Sequence, residues 1–173
     1  MKIKTNVAVL LITVVLISCS PKVATPPRAD NFAFVFQDFS CSSIPMYVLD
    51  TASGKLVYTP LGDKTSTTIS LQLSGEEIES IYQKATSIGF FEYPSEFVVP
   101  DNQVIGFHAP SSTYQLSMVN DDRTNDVHWT DDKLTKPSYT KADQLRELMK
   151  LIDETIKSHP EVQQLPKPEA GCA

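Results

Sequence analysis

The chain has 173 residues, 15 Lys+Arg against 21 Asp+Glu, a formal net charge of -6 and 41% hydrophobic residues. That length fits one domain with extended ends, and the acidic balance argues against a partner held through phosphates, so no nucleic acid is expected. Three cysteines are too few for a fold built from disulfides.

Lys2 and Lys4 form a short basic segment, and Val7–Ile17 is almost continuously apolar. That run is too short to span a bilayer, which takes about 20 residues. It suits the apolar core of a signal peptide over residues 1–18. Leu16-Ile17-Ser18-Cys19 follows. This tetrad resembles the lipobox of bacterial lipoproteins. The resemblance implies that the Cys19 thiol carries a diacylglycerol, that the chain is cut before Cys19, and that the new amino group is acylated. Several acyl chains hold a protein on a membrane far better than one. Ser20 stands where an Asp would imply inner-membrane retention in enterobacterial lipoproteins, so the resemblance favours the outer membrane, facing the periplasm. Residues 19–31 contain Pro21, Pro26 and Pro27 and no core pattern. They read as a tether at most ~40 Å long.

Phe32–Phe39 alternates, with Phe32, Phe34 and Phe36 on one face, and reads as a strand. Met46–Asp50 and Lys55–Thr59 are expected strands around a hairpin turn at Thr51–Gly54. Thr65–Leu73 is expected as the fourth strand. A helix should begin at Ser74, where Ser74 and Glu77 have capping-box spacing. Ile78, Ile81, Tyr82, Ala85 and Ile88 form its apolar stripe, and Gly89 is placed to end it. Phe90-Phe91 should dock in the core. Residues 92–110, with three prolines, read as an irregular connection.

Thr113–Val119 and Asn125–Thr130 are expected as a hairpin around a turn at Asn120–Thr124, with Tyr114, Leu116, Met118, Val127 and Trp129 inward. In that register His128 faces Ser117. A second helix is expected over Lys141–Ser158, capped by Thr140 and Asp143 and stopped by Pro160, with Asp153 and Lys157 as an i,i+4 pair. Residues 159–173 read as a loose tail. The expectation is therefore α+β: an antiparallel sheet of about six strands over 32–158, with two helices on one face. Gly89-Phe90-Phe91 and Tyr114-Gln115-Leu116 make this domain resemble lipoprotein domains common in Bacteroidetes, and its helix–hairpin–helix part resembles emfourin-type protease inhibitors. Core residues carry both likenesses, so they speak to fold.

Catalytic patterns are weak. His108, His128 and His159 match no zinc spacing, so no metal is expected. Asn120–Asp126 is rich in oxygen ligands but lacks the Gly and distal Glu of an EF-hand loop. Ser138-Tyr139-Thr140-Lys141 has the Ser-x-x-Lys spacing of penicillin-binding enzymes without their partner motifs. Ser53-Gly54-Lys55 is a turn, not a phosphate loop. With Cys19 consumed by lipid, Cys41 and Cys172 remain, and two readings stay open: a disulfide between them in an oxidising compartment, or a buried free Cys41 with a dangling Cys172. The disulfide would close a loop of about 130 residues, worth ~4–5 kcal/mol in the chain-entropy model, less the cost of ordering the tail. The expected function is a non-catalytic binding or interaction module without cofactor, anchored through lipid on Cys19 and meeting an envelope protein. The alternatives are a small envelope hydrolase and a protease-inhibitor-like protein.

Overall fold

A computed structural model describes residues 31–39 and 42–167. The strands are β1 Phe32–Asp38, β2 Tyr47–Asp50, β3 Lys55–Tyr58, β4 Thr67–Ser70, β5 Val104–Asn120 and β6 Arg123–Thr135. The helices are α1 Gly75–Ser87, α2 Thr140–Ser158 and α3 Pro160–Gln163. The six strands make one antiparallel sheet in the order β4-β3-β2-β1-β5-β6. The first strand therefore lies inside the sheet, flanked by β2 and β5.

Alternation decides which face is covered. Phe32, Phe34 and Phe36 of β1 are buried, together with Tyr47, Leu49, Leu56, Tyr58, Leu116, Met118, Val127 and Trp129 from the neighbouring strands. The stripes of α1 (Ile81, Tyr82, Ala85) and α2 (Leu145, Leu148, Met149, Ile152, Ile156) close over them. The expected α+β architecture is present, with helices on one face of the sheet.

Local chemistry sets the ends of α1. Ser74 Oγ accepts from the Glu77 N–H at 3.3 Å, and Glu77 Oε2 accepts from the Ser74 N–H at 2.7 Å. The chain leaves through Gly89 at φ 69°, a left-handed conformation that suits glycine. Phe90 is buried, and Phe91 lies under the Arg123 guanidinium, 4.5 Å from ring centroid to Cζ.

Several expectations are corrected. Residues 92–110 are not irregular throughout: they contain a 3-10 turn at Asp101–Gln103 and the start of β5 at Val104. Gly106 and Pro110 hide the strand pattern, and register shifts at 104/106 and 107/112 absorb the extra residues. β6 likewise continues through Asp131-Asp132-Lys133 to Thr135. The hairpin turn is the two-residue Asp121-Asp122, with Asp121 at φ 51°, not the five-residue Asn120–Thr124. His128 therefore faces Gln115, and Ser117 faces Asp126.

β4 is shorter than Thr65–Leu73. The residue capping α2 is Tyr139, without a side-chain cap, because Asp143 turns to Arg146 instead. Pro160 ends α2 only to begin α3, where Val162 is buried, and Tyr58 Oη donates to Pro166 O at 2.7 Å. The packed chain thus extends beyond Ser158.

Candidate functional site

The open face of the sheet is polar. Asp126, His128 and Thr130 of β6 share it with Thr113, Gln115 and Ser117 of β5, each facing its cross-strand partner. The segment after α1 completes a groove there. Phe97 is buried and packs edge-on against Trp129, with ring centroids 5.8 Å apart. That anchor lets Ser95 O accept from the His128 N–H at 2.7 Å, while the Phe97 N–H donates to His128 O at 3.0 Å. Alternation then turns Glu96 outward, where Oε2 lies 3.0 Å from His128 Nδ1. An open groove of about 480 Å³ results, lined by Ser95, Glu96, Gln115, Asp126 and His128. Gln115 Nε2 donates to Asp126 Oδ2 at 3.3 Å and Gln115 Oε1 accepts from Gln37 Nε2 at 3.3 Å, so the floor is a hydrogen-bonded polar strip.

This groove offers carboxylates and amides to a polar ligand. The His128–Glu96 pair has the geometry of a base and its orienting acid. Both side chains are well exposed, so water screens them. Ser95 borders the same groove, but among the described residues its hydroxyl makes no hydrogen bond to the His128 ring.

The other histidines are elsewhere. His108 Nε2 lies 3.3 Å from Asp131 Oδ1, and His159 Nε2 lies 3.0 Å from Glu77 Oε1. The structure does not bring the three together, and among the described residues no three His, Cys, Asp or Glu side chains gather to hold a metal ion. The oxygen-rich Asn120–Asp126 stretch is occupied by local bonding. Asn120 donates to Tyr82 Oη at 3.2 Å, Asp121 accepts from Asn31, and Asn125 donates to the carbonyls of Phe90 and Tyr93. Lys141 of the Ser-x-x-Lys stretch lies over the Tyr93 ring, and Ser53 Oγ donates to Asp50 in its turn. Cys19, Cys41 and Cys172 lie outside the described residues.

Two buried polar centres were not foreseen. In the first, Asp131 is nearly buried at the outer part of β6 and takes both arms of Arg146, with Nε to Oδ2 and Nη2 to Oδ1 each at 2.7 Å. Arg146 also meets Asp143, and its Cζ sits 5.7 Å from the Trp129 ring centroid. The Asp131 hydrogen bonds hold the guanidinium above its ordinary pKa. This fork fastens β6 to α2. Removing one partner of a buried pair costs about 3–5 kcal/mol. Because Arg146 is partly exposed, Arg146→Ala is expected to cost about 2 kcal/mol, with Arg146→Lys intermediate. Urea denaturation checks this; an unchanged midpoint would show that the fork adds nothing.

In the second centre, Asp38 ends the inward row of β1 at 4% exposure, between Tyr47 and Tyr114. Asp153 of α2 approaches it. Burial raises the Asp153 carboxyl above its usual pKa and Asp38 raises it further, against the pull of Lys157 at 2.7 Å. Asp153 Oδ1 is buried without a hydrogen-bond partner among the described residues. Burial, Tyr58 and the two carboxylates push the Tyr47 phenol up to about 12. A raised folded-state pKa gives stability that is present in acid and lost as pH rises through the folded value. Asp153→Asn should therefore flatten the fall in stability as pH rises above the ordinary carboxylate range and raise the melting temperature at neutral pH. Melting curves across that range decide it: parallel curves for the two proteins would refute the assignment.

Asp38 could have been placed inward from the sequence, since it shares parity with Phe32, Phe34 and Phe36. Glu96, Asp131 and Arg146 needed the β6 register and the path of residues 92–103. A comparison with protein-family models gives no match, and neither does one with curated proteins.

Proposed function

We propose that the protein is a lipid-anchored cell-envelope lipoprotein acting as a non-catalytic binding module. The observation supporting the binding role is where its exposed apolar side chains lie. β1 pairs with β5 only from Tyr114 to Asn120, so the rest of β5 and the paired end of β6 project beyond it as a two-stranded arm. Ile105, Phe107 and Leu134 are exposed on this arm, and Val98 is exposed on the segment beside it, with Phe107 at 70%. Apolar groups grouped on a projection mark interaction surfaces more often than scattered ones do.

The arm also points away from the proposed anchor. Asn31, next to the tether, donates to Asp121 Oδ1 at the far end of β5. A strand of that length spans about 50 Å. With Cys19 acylated, the arm would be presented away from the anchored end, toward an envelope protein. A photo-crosslinking side chain at Phe107 is expected to give a discrete, identifiable protein adduct in cells, while one at Val119, near the tether, is not. Equal labelling from both sites, or none from Phe107, would overturn this reading.

The anchor is tested separately. Intact mass of the membrane-extracted chain should show the loss of residues 1–18 with acyl groups on Cys19, and Cys19→Ala should leave an unprocessed, unacylated precursor. The same spectrum, taken without reductant, tests the proposed Cys41–Cys172 disulfide. Ser42, next to Cys41, donates its N–H to Phe39 O, and Pro166, six residues before Cys172, accepts from Tyr58 Oη, so both lie at the end of the sheet marked by the Asp38–Tyr47–Tyr58 row. Two alkylatable thiols beside a lipidated Cys19 would remove the disulfide and leave the anchor standing.

A further inference from the structure

We propose that His159 is a pH-operated latch: protonated, its ring ties the C-terminal segment Pro160–Pro166 to the start of α1, and on losing the proton it lets that segment open locally. His159 sits where three helices meet. It closes α2 as its C-cap and precedes Pro160 at the first position of α3. Its side chain is 15% exposed, and both ring nitrogens face carboxylates. Nε2 lies 3.0 Å from Glu77 Oε1 on α1, and Nδ1 lies at ion-pair distance, 3.6 Å, from Glu161 Oε1 on α3. Glu77 is itself fixed, because its other oxygen caps α1 by accepting the Ser74 N–H.

This arrangement responds to one proton. An imidazolium donates from both nitrogens, a neutral imidazole from one only. The neutral ring therefore keeps one carboxylate and turns a bare lone pair toward the other. Histidine is the side chain suited to make that change between about pH 5 and 8. The groups around it keep their charge there. Burial works against the Glu77 carboxylate, but the Ser74 hydrogen bonds and the imidazole outweigh it and hold its pKa below the usual value. On α2, Lys157 turns to Asp153 at 2.7 Å and not to the ring. Tyr58, which the sheet sets against the segment, has its phenol raised by burial and stays neutral.

The segment under the latch is short. α3 has four residues, too few to stand as a helix alone. Val162 is buried and Leu165 packs against the core, the Val162 and Gln163 N–H groups donate to His159 O at 3.1 Å each, and Tyr58 Oη donates to Pro166 O. Chain ends of this kind open at far lower free energy than the whole domain. The state of the ring therefore sets how often the seats of Val162 and Leu165 are uncovered.

Amide exchange on the full chain in detergent, corrected at each pH for intrinsic rate, tests this. Protection of the Val162, Gln163 and Leu165 amides should fall about fivefold as pH rises from about 5 to 8, the difference between a charge-assisted and a neutral hydrogen bond. The fall should share its midpoint with the His159 ring resonances in NMR. His159→Gln keeps a donor for Glu77 but carries no charge, so its protection should stay at the lower level throughout. Glu161→Gln, at an exposed position, should shrink the fall. The Leu148 and Ile152 amides of α2 report global unfolding, and any change that Asp153 imposes on them persists in His159→Gln, so the two effects separate. Protection at α3 that is constant across the range would overturn the proposal. So would a fall that persists in full in His159→Gln or in Glu161→Gln. Neither the arm nor the lipid enters these outcomes, so the binding-module reading stands or falls separately.

Discussion

One transverse row of side chains governs this fold. Ile69, Leu56, Leu49, Phe36, Leu116 and Val127 stand opposite one another across all six strands, from β4 to β6. All but Ile69 are fully buried. Each such side chain is worth about 1.5–3 kcal/mol when taken from water. A one-residue slip of any strand would turn its member of the row out to solvent and bring a polar neighbour in. The register of four hairpins and the β1–β5 pairing is thus enforced by one line of apolar contacts. The helices depend on it too, because their stripes close on the surface that this row flattens.

The next row shows what the sheet tolerates beside that line. Thr67, Tyr58, Tyr47, Asp38, Tyr114 and Trp129 stand opposite one another in the same way. A buried carboxylate between two tyrosines is costly unless it is bonded. Phenols flanking Asp38 give this row donors that an aliphatic row would lack. The arrangement still brings Asp38 and Asp153 close enough to raise the Asp153 pKa. Nearer the arm, Asp131 is balanced by a two-armed guanidinium, a geometry that repays more of the desolvation. The two centres thus differ in kind: one fastens β6 to α2, the other sets like charges against each other between β1 and α2.

What the sequence reveals follows from where local and tertiary signals agree. Ser74, Glu77 and Gly89 are local, and they delimit α1 in the structure as their spacing implies. The Phe32/Phe34/Phe36 alternation and the inward Trp129 are legible because burial on one face leaves a period of two. The arm is not legible, since Gly106, Pro110 and the Asp131-Asp132-Lys133 run each argue locally against a strand, and only pairing of the two segments makes one. The cross-strand partner of His128 shifts from Ser117 to Gln115 because Asp121 accepts a left-handed turn that shortens the hairpin loop. Thr140 does not cap α2, because Arg146 draws Asp143 away and Tyr93 Oη donates to Lys141 O at 2.9 Å, holding that end by other means. The Glu96–His128 pair lay hidden for a topological reason: the two residues are 32 apart in the chain, and only the Phe97 anchor on Trp129 brings the segment back.

Three borders of the sheet carry different chemistry, and the difference bears on how the protein meets others. Covering β6 with Ser95–Phe97 closes an edge and at the same time builds the polar groove, so one segment both protects the edge and shapes a ligand-sized recess. The arm keeps its apolar side chains exposed but breaks its backbone ladder, which favours contact through side chains over strand addition. β4 does the reverse, offering an unbroken ladder with small hydroxylated side chains and little apolar area. A partner at the arm would therefore be chosen by shape and hydrophobicity, while at β4 the four-residue length of the strand is itself a guard against backbone pairing.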